Sequence, residues 1–194
     1  QQTDLVDGVM YDPEIYGFDI AGNLSQPGIR QDVIYDVTPP VLTISEPLSG
    51  AWVNHQNIFM GTNEPIQNWT ITAQWQGGLI DESAPYSYIF SDTVQLSDDK
   101  DLMAFFQLND GSVYSYSIVG SDLAGNESDA VSIDSIHFDI TLPVLTMIYP
   151  FDDAAIKDPS VSYASSEILL AGEFLWTEIE GTMDTLSPHV VTLV

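Results

Sequence analysis

Residues 114–126 read Tyr-Ser-Tyr-Ser-Ile-Val-Gly-Ser-Asp-Leu-Ala-Gly-Asn, and residues 138–143 read Phe-Asp-Ile-Thr-Leu-Pro. The alternation in the first segment predicts a β-strand that leads into a tight Asp-x-Ala-Gly-Asn turn. The second segment closes the returning strand with Asp-x-Thr-x-Pro. Both motifs also stand 103 residues earlier, at 19–23 and 36–40. A fixed period of this kind is the signature of a tandem repeat.

The period divides the 194 residues into three parts. Residues 1–39 form the C-terminal part of one repeat. From Leu5 to Pro40, fourteen residues are identical to the residues 103 positions later, without a gap. Residues 40–142 form one complete repeat. Residues 143–194 form the N-terminal part of the next repeat, where the identity is weaker but the register holds. We therefore expect domains of one kind, arranged end to end.

Within the complete repeat, short segments of β type alternate with turns. Trp69, Ile71, Ala73 and Trp75 alternate with polar residues and are expected to share the buried face of one strand. The run Asp-Asp-Lys-Asp at 98–101 is predicted to be a polar loop. About seven strands in about 100 residues are typical of an antiparallel Greek-key β-sandwich. The predicted strands are 41–45, 58–62, 69–75, 86–90, 93–96, 102–108, 114–121 and 132–138.

The composition is strongly acidic, with 29 Asp and Glu against three Lys and Arg and a formal net charge of −26. Nucleic acids and anionic membrane surfaces require a basic protein surface, so the charge argues against both partners. Hydrophobic residues make up 44% of the chain, which suits packed cores rather than a disordered tail. No stretch approaches the ~20 apolar residues of a membrane helix, so no membrane insertion is expected in this segment.

Three motifs together resemble a known kind of repeat. They are Leu-x-Asp-Gly-x-x-Tyr-x-Tyr-x-Ile, Asp-x-Ala-Gly-Asn and Asp-x-Thr-x-Pro. The combination resembles the bacterial Ig-like repeats of very large cell-surface adhesins, over the whole chain and most sharply over 4–43 and 107–146. The resemblance implies tandem Ig-like β-sandwiches in an extracellular stalk, often stiffened by calcium at the joints between repeats. The ligand pattern of that family varies, so its ligands carry over as candidates.

Several acidic residues are expected to meet where one repeat follows another. Successive strands of a Greek-key sandwich alternate in direction, so the loop at 63–64 and the turn at 122–126 should share the end where the chain enters the repeat. Calcium takes six to eight oxygen ligands from carboxylates, amides and backbone carbonyls. The candidate ligands are Asp36, Glu64, Asp122 and Asn126 at this joint, Asp139 and Glu167 at the next, and Asp19, the equivalent acid of the first part.

A second interpretation of the same acids needs no metal. Asp and Asn favour turns, because their side chains form hydrogen bonds with neighbouring backbone groups. The net charge of −26 and the recurrence of the acids favour calcium. A weak site would suffice, because extracellular calcium modules bind with dissociation constants of ~10⁻⁴–10⁻³ M. Both interpretations stay open at the level of the sequence.

Other repeated residues suggest structural roles. Tyr11 and Tyr114 each follow an Asp-Gly turn by three residues, where a tyrosine corner places its ring in the core and its hydroxyl on nearby backbone. Gly22 and Gly125 are expected to supply a positive φ in the Asp-x-Ala-Gly-Asn turn.

Nothing in the sequence points to a catalytic centre. His55, His137 and His189 are scattered and there is no cysteine, so a zinc site is not expected. No Gly-x-Ser-x-Gly elbow and no phosphate-binding glycine-rich loop is present. We therefore expect a protein that is not an enzyme.

Two classes of function remain. In the first, the repeats act mechanically, as the stalk or filament body of an adhesive cell-surface protein. In the second, the repeats themselves bind a glycan or a protein, with the loop residue Trp52 as a platform for a sugar. Trp69 and Trp75 align with Gly172 and Glu178, so the tryptophans do not repeat, which favours the mechanical class.

Neither 1–39 nor 143–194 holds enough strands to bury the core of a sandwich. The sequence is expected to be a window from a longer continuous chain. In the alternative, the tail of one molecule and the head of the next build a composite sandwich, which gives head-to-tail copies in a filament. Asp19 would then complete the joint of Asp139 and Glu167.

Overall fold

The computed structural model describes residues 4–193. The prediction of an all-β fold is confirmed, since the described residues form sixteen strands and one turn of 3₁₀ helix. The chain divides into two compact units, Gln1–Ile140 and Thr141–Val194. Among residues 4–193, no helix has the length and apolar character needed to cross a membrane.

The first partial repeat contains four short strands. They are β1 (Val9–Tyr11), β2 (Glu14–Ile15), β3 (Gly28–Ile29) and β4 (Val33–Tyr35). β1 pairs with β4 and β2 with β3, both antiparallel. Most large apolar side chains of this part are exposed, including Ile15 and Phe18.

The complete repeat consists of two sheets that share one core. Its strands are β5 (Leu42–Glu46), β6 (Trp52–Val53), β7 (Asn57–Thr62), β8 (Ile66–Gly78), β9 (Tyr86–Phe90), β10 (Ser97–Asp101), β11 (Ser112–Asp122) and β12 (Val131–Phe138). Along β11 every second residue is buried, because successive side chains of a strand point to opposite faces. Buried side chains from both sheets form a single cluster, in which Trp69, Tyr114 and Tyr116 are the largest.

The order of strands is β10-β7-β5 in one sheet and β6-β12-β11-β8-β9 in the other. Neighbours are antiparallel except β6 and β12, which are parallel. β8 and β11, the two longest strands, lie side by side in the five-stranded sheet. Trp69, Ile71 and Ala73 on β8 are buried, as their alternation predicts, whereas Trp75, the fourth residue of that set, is only half-buried. Eight strands lie in this repeat, and two of them, β6 and β10, fall outside the segments predicted as strands.

The predictions for 93–108 are wrong. The run predicted to be a loop at 98–101 lies in β10, which pairs with β7 at the edge of its sheet. Edge strands accept charged residues because one side remains open to water. Lys100 lies between Asp92 and Asp98, at 2.6 and 2.9 Å from their carboxylates, and so offsets part of the local negative charge.

The strands predicted at 93–96 and 102–108 are not formed. In the first, Val94 makes only an isolated bridge to Ile66. In the second, Leu102–Ala104 forms the 3₁₀ turn, and Asp101 caps it by accepting a hydrogen bond from Met103 N–H at 2.9 Å. This turn buries Leu102 completely, so the apolar residues of the segment serve a helical turn instead of a strand.

The second unit holds the other partial repeat. Its strands are β13 (Leu145–Tyr149), β14 (Ser162–Ser165), β15 (Gly172–Trp176) and β16 (His189–Leu193). β13 pairs with β14, and β15 pairs with β16, both antiparallel. None of residues 141–193 is fully buried, and side chains such as Leu145 and Val191 are exposed.

The predicted tyrosine corner is confirmed in the complete repeat. The ring of Tyr114 is buried, and its hydroxyl accepts a hydrogen bond from Asn109 N–H at 2.8 Å. The Tyr11 hydroxyl accepts one from Val6 N–H at 2.9 Å, although its ring is only half-buried. The glycines of the two Asp-x-Ala-Gly-Asn turns have φ of 87° and 94°, which confirms the positive φ predicted for them.

Candidate metal centre

Asp122 organises the turn that follows β11. Its Oδ1 accepts hydrogen bonds from the N–H groups of Ala124, Gly125 and Asn126 at 2.7–2.9 Å. Burial alone would raise the pKa of Asp122, but hydrogen bonds from Asn126, Gly125 and Ala124 outweigh it and hold the pKa below its usual value. Asp122 is therefore a buried, ionised carboxylate that caps the turn.

Asn126 ties this turn to the preceding repeat. Its Nδ2 donates to Asp122 Oδ2 at 2.8 Å and to the backbone carbonyl of Asp36 at 3.1 Å. The amide nitrogen thus donates to the carboxylate of Asp122 and to the backbone of Asp36, whereas a metal would bind the amide oxygen. Asn126 therefore links the backbone of Asp36 to the carboxylate of Asp122, and its role as a metal ligand stays a prediction.

Glu64 reaches the same place from the loop between β7 and β8. The Thr62 hydroxyl donates to the Glu64 carbonyl at 2.8 Å and fixes the turn of the loop. One carboxylate oxygen from each of Asp36, Glu64 and Asp122 lies within 4.8 Å of the other two. Two oxygens that are both about 2.4 Å from one calcium ion lie up to about 4.8 Å apart, so this spacing fits a shared ion.

The three carboxylates also raise one another's electrostatic energy. Partial burial raises the pKa of Glu64, and the negative charges of Asp36, Asp122 and Asp7 raise it further. Because the raised pKa means that the folded state disfavours ionised Glu64, the charged cluster opposes folding at neutral pH. A cation bound between the acids would remove that cost.

Asp19 lies in the Asp-x-Ala-Gly-Asn turn of the first partial repeat. Its Oδ1 accepts from Asn23 N–H and its Oδ2 from Asn23 Nδ2, both at 2.8 Å. The hydrogen bond from the Asn23 side chain lowers the pKa of this exposed acid. Asp19 and Asn23 therefore reproduce the capping contacts of Asp122 and Asn126.

The two acids predicted at the second joint belong to different units, Asp139 to the first and Glu167 to the second. Glu167 lies in a loop like that of Glu64, since the Ser165 hydroxyl donates to its carbonyl at 2.6 Å. Glu167 Oε1 is buried and has no hydrogen-bond partner among the described residues. A shared metal for Asp139 and Glu167 stays a prediction.

The sequence reasoning did not single out Asp7, which lies near the cluster. Asp7 accepts a hydrogen bond from Val37 N–H at 2.8 Å and another from the Thr38 hydroxyl, and it contributes to the raised pKa of Glu64. Its counterpart Asp110 accepts from Ile140 N–H at 2.8 Å. The sequence signal that could have identified Asp7 is the repeated Asp-Gly pair, which the sequence analysis interprets only as a turn.

Asp81, which like Asp122 is buried, is another acid that the sequence reasoning did not single out. It accepts hydrogen bonds from the hydroxyls of Tyr114 at 2.5 Å and Tyr86 at 3.0 Å, and from Ser83 N–H at 3.0 Å. Burial would raise its pKa, but the hydrogen bonds hold the pKa of Asp81 below its usual value. Asp81 recurs in the sequence as Asp184, but no sequence pattern indicates that Tyr114 and Tyr86 are its hydrogen-bond partners.

The chain matches no protein-family model, and no curated protein matches it. The resemblance to bacterial Ig-like repeats therefore stays a prediction that rests on the repeated motifs.

Proposed function

We propose that this chain is a non-catalytic, extracellular structural segment of a bacterial cell-surface adhesin, in which end-to-end Ig-like β-sandwiches form a stalk. Calcium bound between consecutive repeats stiffens the joint. The observation that carries the proposal is the approach of three carboxylates from two repeats, Asp36, Glu64 and Asp122, to within 4.8 Å.

The origin of these acids supports a role at a joint. Asp36 belongs to the first partial repeat, whereas Glu64 and Asp122 belong to the complete repeat. A cation that binds all three acids resists bending between the two repeats, because bending would pull its ligands apart. In the repeat register, Asp139 and Glu167 correspond to Asp36 and Glu64, and Asp19 corresponds to Asp122.

The overall charge points in the same direction. A net charge of −26 destabilises a compact chain through self-repulsion, and bound divalent cations reduce that repulsion. Extracellular calcium modules work at ~10⁻⁴–10⁻³ M, so three carboxylates completed by backbone carbonyls and water suffice for such a site.

Calcium is expected to stabilise the chain, and Glu64→Gln is expected to remove most of this effect. At a calcium concentration about 100-fold above Kd the gain is about 2.7 kcal/mol in the free energy of unfolding. Thermal unfolding in calcium and in chelator measures it. In chelator Glu64→Gln should be at least as stable as the wild type, since it removes a repelling charge.

The matched control is Glu82→Gln, which removes one exposed acid outside the cluster. It should keep the full calcium-dependent shift in melting temperature. A wild-type melting curve that is the same in calcium and chelator would refute the calcium joint, as would a Glu64→Gln variant that responds like the wild type.

One observation favours the alternative, a repeat that binds a glycan. Trp52 is 71% exposed and stacks on His137, with ring centroids 4.4 Å apart. An exposed aromatic ring whose orientation is fixed by a neighbouring ring is suited to stacking on a sugar. Its counterpart in the next repeat is Ala155, which favours the mechanical function. Binding of the chain to immobilised glycans that is lost in Trp52→Ala would establish the alternative.

A further inference from the structure

The five-stranded sheet of the complete repeat carries almost no charge, although the chain is strongly acidic. β6, β8 and β9 contain no Asp, Glu, Lys or Arg. β11 contains only Asp122, which is buried, and β12 contains only Asp134. By contrast, the edge strand β10 of the other sheet reads Ser-Asp-Asp-Lys-Asp. The side of the five-stranded sheet that faces away from the core is therefore a neutral surface, which we call the outer face.

The register of the strands places four hydroxyl groups in one row across the outer face. Residues directly opposite each other in neighbouring strands point to the same side of a sheet. Ser117 on β11 lies opposite Thr72 on β8 and Ser132 on β12, and Thr72 lies opposite Ser87 on β9. Ile118, the next residue after Ser117, is buried, so this hydroxyl row points away from the core.

Towards one end, the outer face continues to the exposed ring of Trp52. Gln74 and Ser115 lie opposite each other about 7 Å beyond the hydroxyl row. His137 follows on β12, and Trp52 lies opposite it on β6 with its ring stacked on the imidazole. Asp134 lies in the bulge of β12. Amide, hydroxyl and aromatic groups thus adjoin one another along this half of the face.

Towards the other end, the outer face leads into a shallow depression of about 300 Å³. Asn68, Thr70 and Ser121 are among the residues that line it, and Glu127 is the one acid among them. From Val113 to Ser121 the face measures roughly 26 Å along β11, because a strand rises about 3.3 Å per residue. This length suits a chain-like ligand of several units.

The partial repeats show that the fold does not require a neutral outer face. In the repeat register, Ser117 corresponds to Glu14, and Thr70 corresponds to Glu173. Glu14 lies in β2 and Glu173 in β15, so a strand accepts an acid at both positions. The turns and the tyrosine corner repeat along the chain, whereas the neutral face is a feature of the complete repeat.

We infer that the outer face of the five-stranded sheet binds an uncharged polysaccharide. Hydroxyl and amide groups both donate and accept hydrogen bonds, as the hydroxyl groups of a sugar do. The ring of Trp52 packs on the apolar side of one sugar ring at the end of the face. An ionic ligand would find few charges of either sign here, and a hydrophobic ligand would leave the hydroxyl row without partners.

The polar groups of the hydroxyl row are available to such a ligand. Among residues 4–193, the side chains of Thr72, Gln74 and Ser87 form no hydrogen bond with the protein. The Ser132 hydroxyl donates to that of Ser117 at 3.0 Å, which leaves the Ser117 proton for an acceptor on the ligand. This function adds lateral binding to one repeat of the stalk and does not rest on the calcium joint.

Native electrophoresis of the whole chain, in gels that contain a dissolved polysaccharide and a chelator, tests the inference. The probes are dextran, mannan and galactomannan, which are uncharged, and alginate, which is anionic. We expect at least one uncharged probe to slow the chain and alginate to leave its mobility unchanged. The Kd for the uncharged probe should change little as salt is added, because no ion pair contributes to binding.

Ser117→Glu should weaken binding at least about tenfold, because it places a charge without a partner at the centre of the hydroxyl row. The strand position of Glu14 indicates that the fold tolerates this residue. Ser97→Glu is the matched control, since Ser97 is exposed on β10 of the other sheet. It adds the same charge to the chain and should bind like the wild type.

Thr72→Val removes one hydroxyl from the row and adds no charge. It should weaken binding about fivefold, because one hydrogen bond to the ligand is lost. Thr43→Val is its control, since Thr43 is exposed on β5 of the other sheet, and it should have no effect. Trp52→Ala should weaken binding about tenfold through the loss of stacking.

The possible results decide the matter. Unchanged mobility with all three uncharged probes overturns the inference. Equal losses for Ser117→Glu and Ser97→Glu also overturn it, because the overall charge would then explain both. Loss in Trp52→Ala, with wild-type binding in Ser117→Glu and Thr72→Val, contradicts the extended face and leaves a single aromatic ring as the site. Because every measurement is made in chelator, a failure here leaves the calcium joint untouched.

Discussion

Trp69→Ala is expected to destabilise the complete repeat by about 4 kcal/mol, the largest effect of any single change considered for this chain. Trp69 is 1% exposed and stacks on Phe90 with ring centroids 4.2 Å apart. Its replacement removes the largest side chain of the core and leaves a cavity between the sheets, which the paired strands around it cannot close. Urea unfolding followed by far-ultraviolet circular dichroism measures the loss.

Trp52→Ala provides the comparison, because it removes the same side chain from an exposed position. Trp52 loses only its stacking on His137, so the cost should stay below about 1 kcal/mol. Similar losses for the two variants would contradict the assignment of Trp69 to the core and of Trp52 to the surface.

Asp81→Ala is expected to cost about 2–3 kcal/mol in the free energy of unfolding. The buried hydroxyl of Tyr114 would lose its acceptor, whereas that of Tyr86 keeps the Gln107 carbonyl at 2.7 Å. A buried donor without an acceptor bears its full desolvation cost. Glu82→Ala, at the exposed neighbouring acid, should change the stability by no more than about 0.5 kcal/mol. Equal effects would show that the Asp81 contacts contribute nothing.

The contribution of Asp81 is also expected to depend on pH. Hydrogen bonds hold the pKa of folded Asp81 below the ordinary value of 3.8, so between the two values the unfolded state binds more protons. The stabilisation is therefore fully present above pH 3.8 and is lost as the pH falls through the folded pKa. The difference in stability between the wild type and Asp81→Asn should shrink over that acidic range. A constant difference would contradict the shift.

The sequence predicts much of the local structure because short-range physics decides it. Period-two alternation located β8 and β11, since successive side chains of a strand point in turn to the core and to water. The motif around Gly125 predicted its turn, because few residues adopt a positive φ. Charge alone misassigned 98–101, since it cannot tell a loop from an edge strand whose outer side faces solvent.

The candidate site was partly predictable. Strand direction placed Asp36, Glu64 and Asp122 at one end of the repeat, and the structure brings them within 4.8 Å. The orientation of Asn126 was not predictable, because its amide nitrogen donates both to Asp122 in its own turn and to the distant carbonyl of Asp36. Calcium occupancy stays a prediction that the Glu64→Gln experiment tests.

By itself the sequence determined the 103-residue period, the turns and the β character of the chain, because these follow from local conformational preferences and from repetition. Only the tertiary structure decided which distant groups meet: Tyr114 with Asp81, and the carbonyl of Asp36 with Asn126. Such contacts join residues 33 and 90 positions apart. Their geometry depends on how the two sheets pack, and no local pattern encodes that packing.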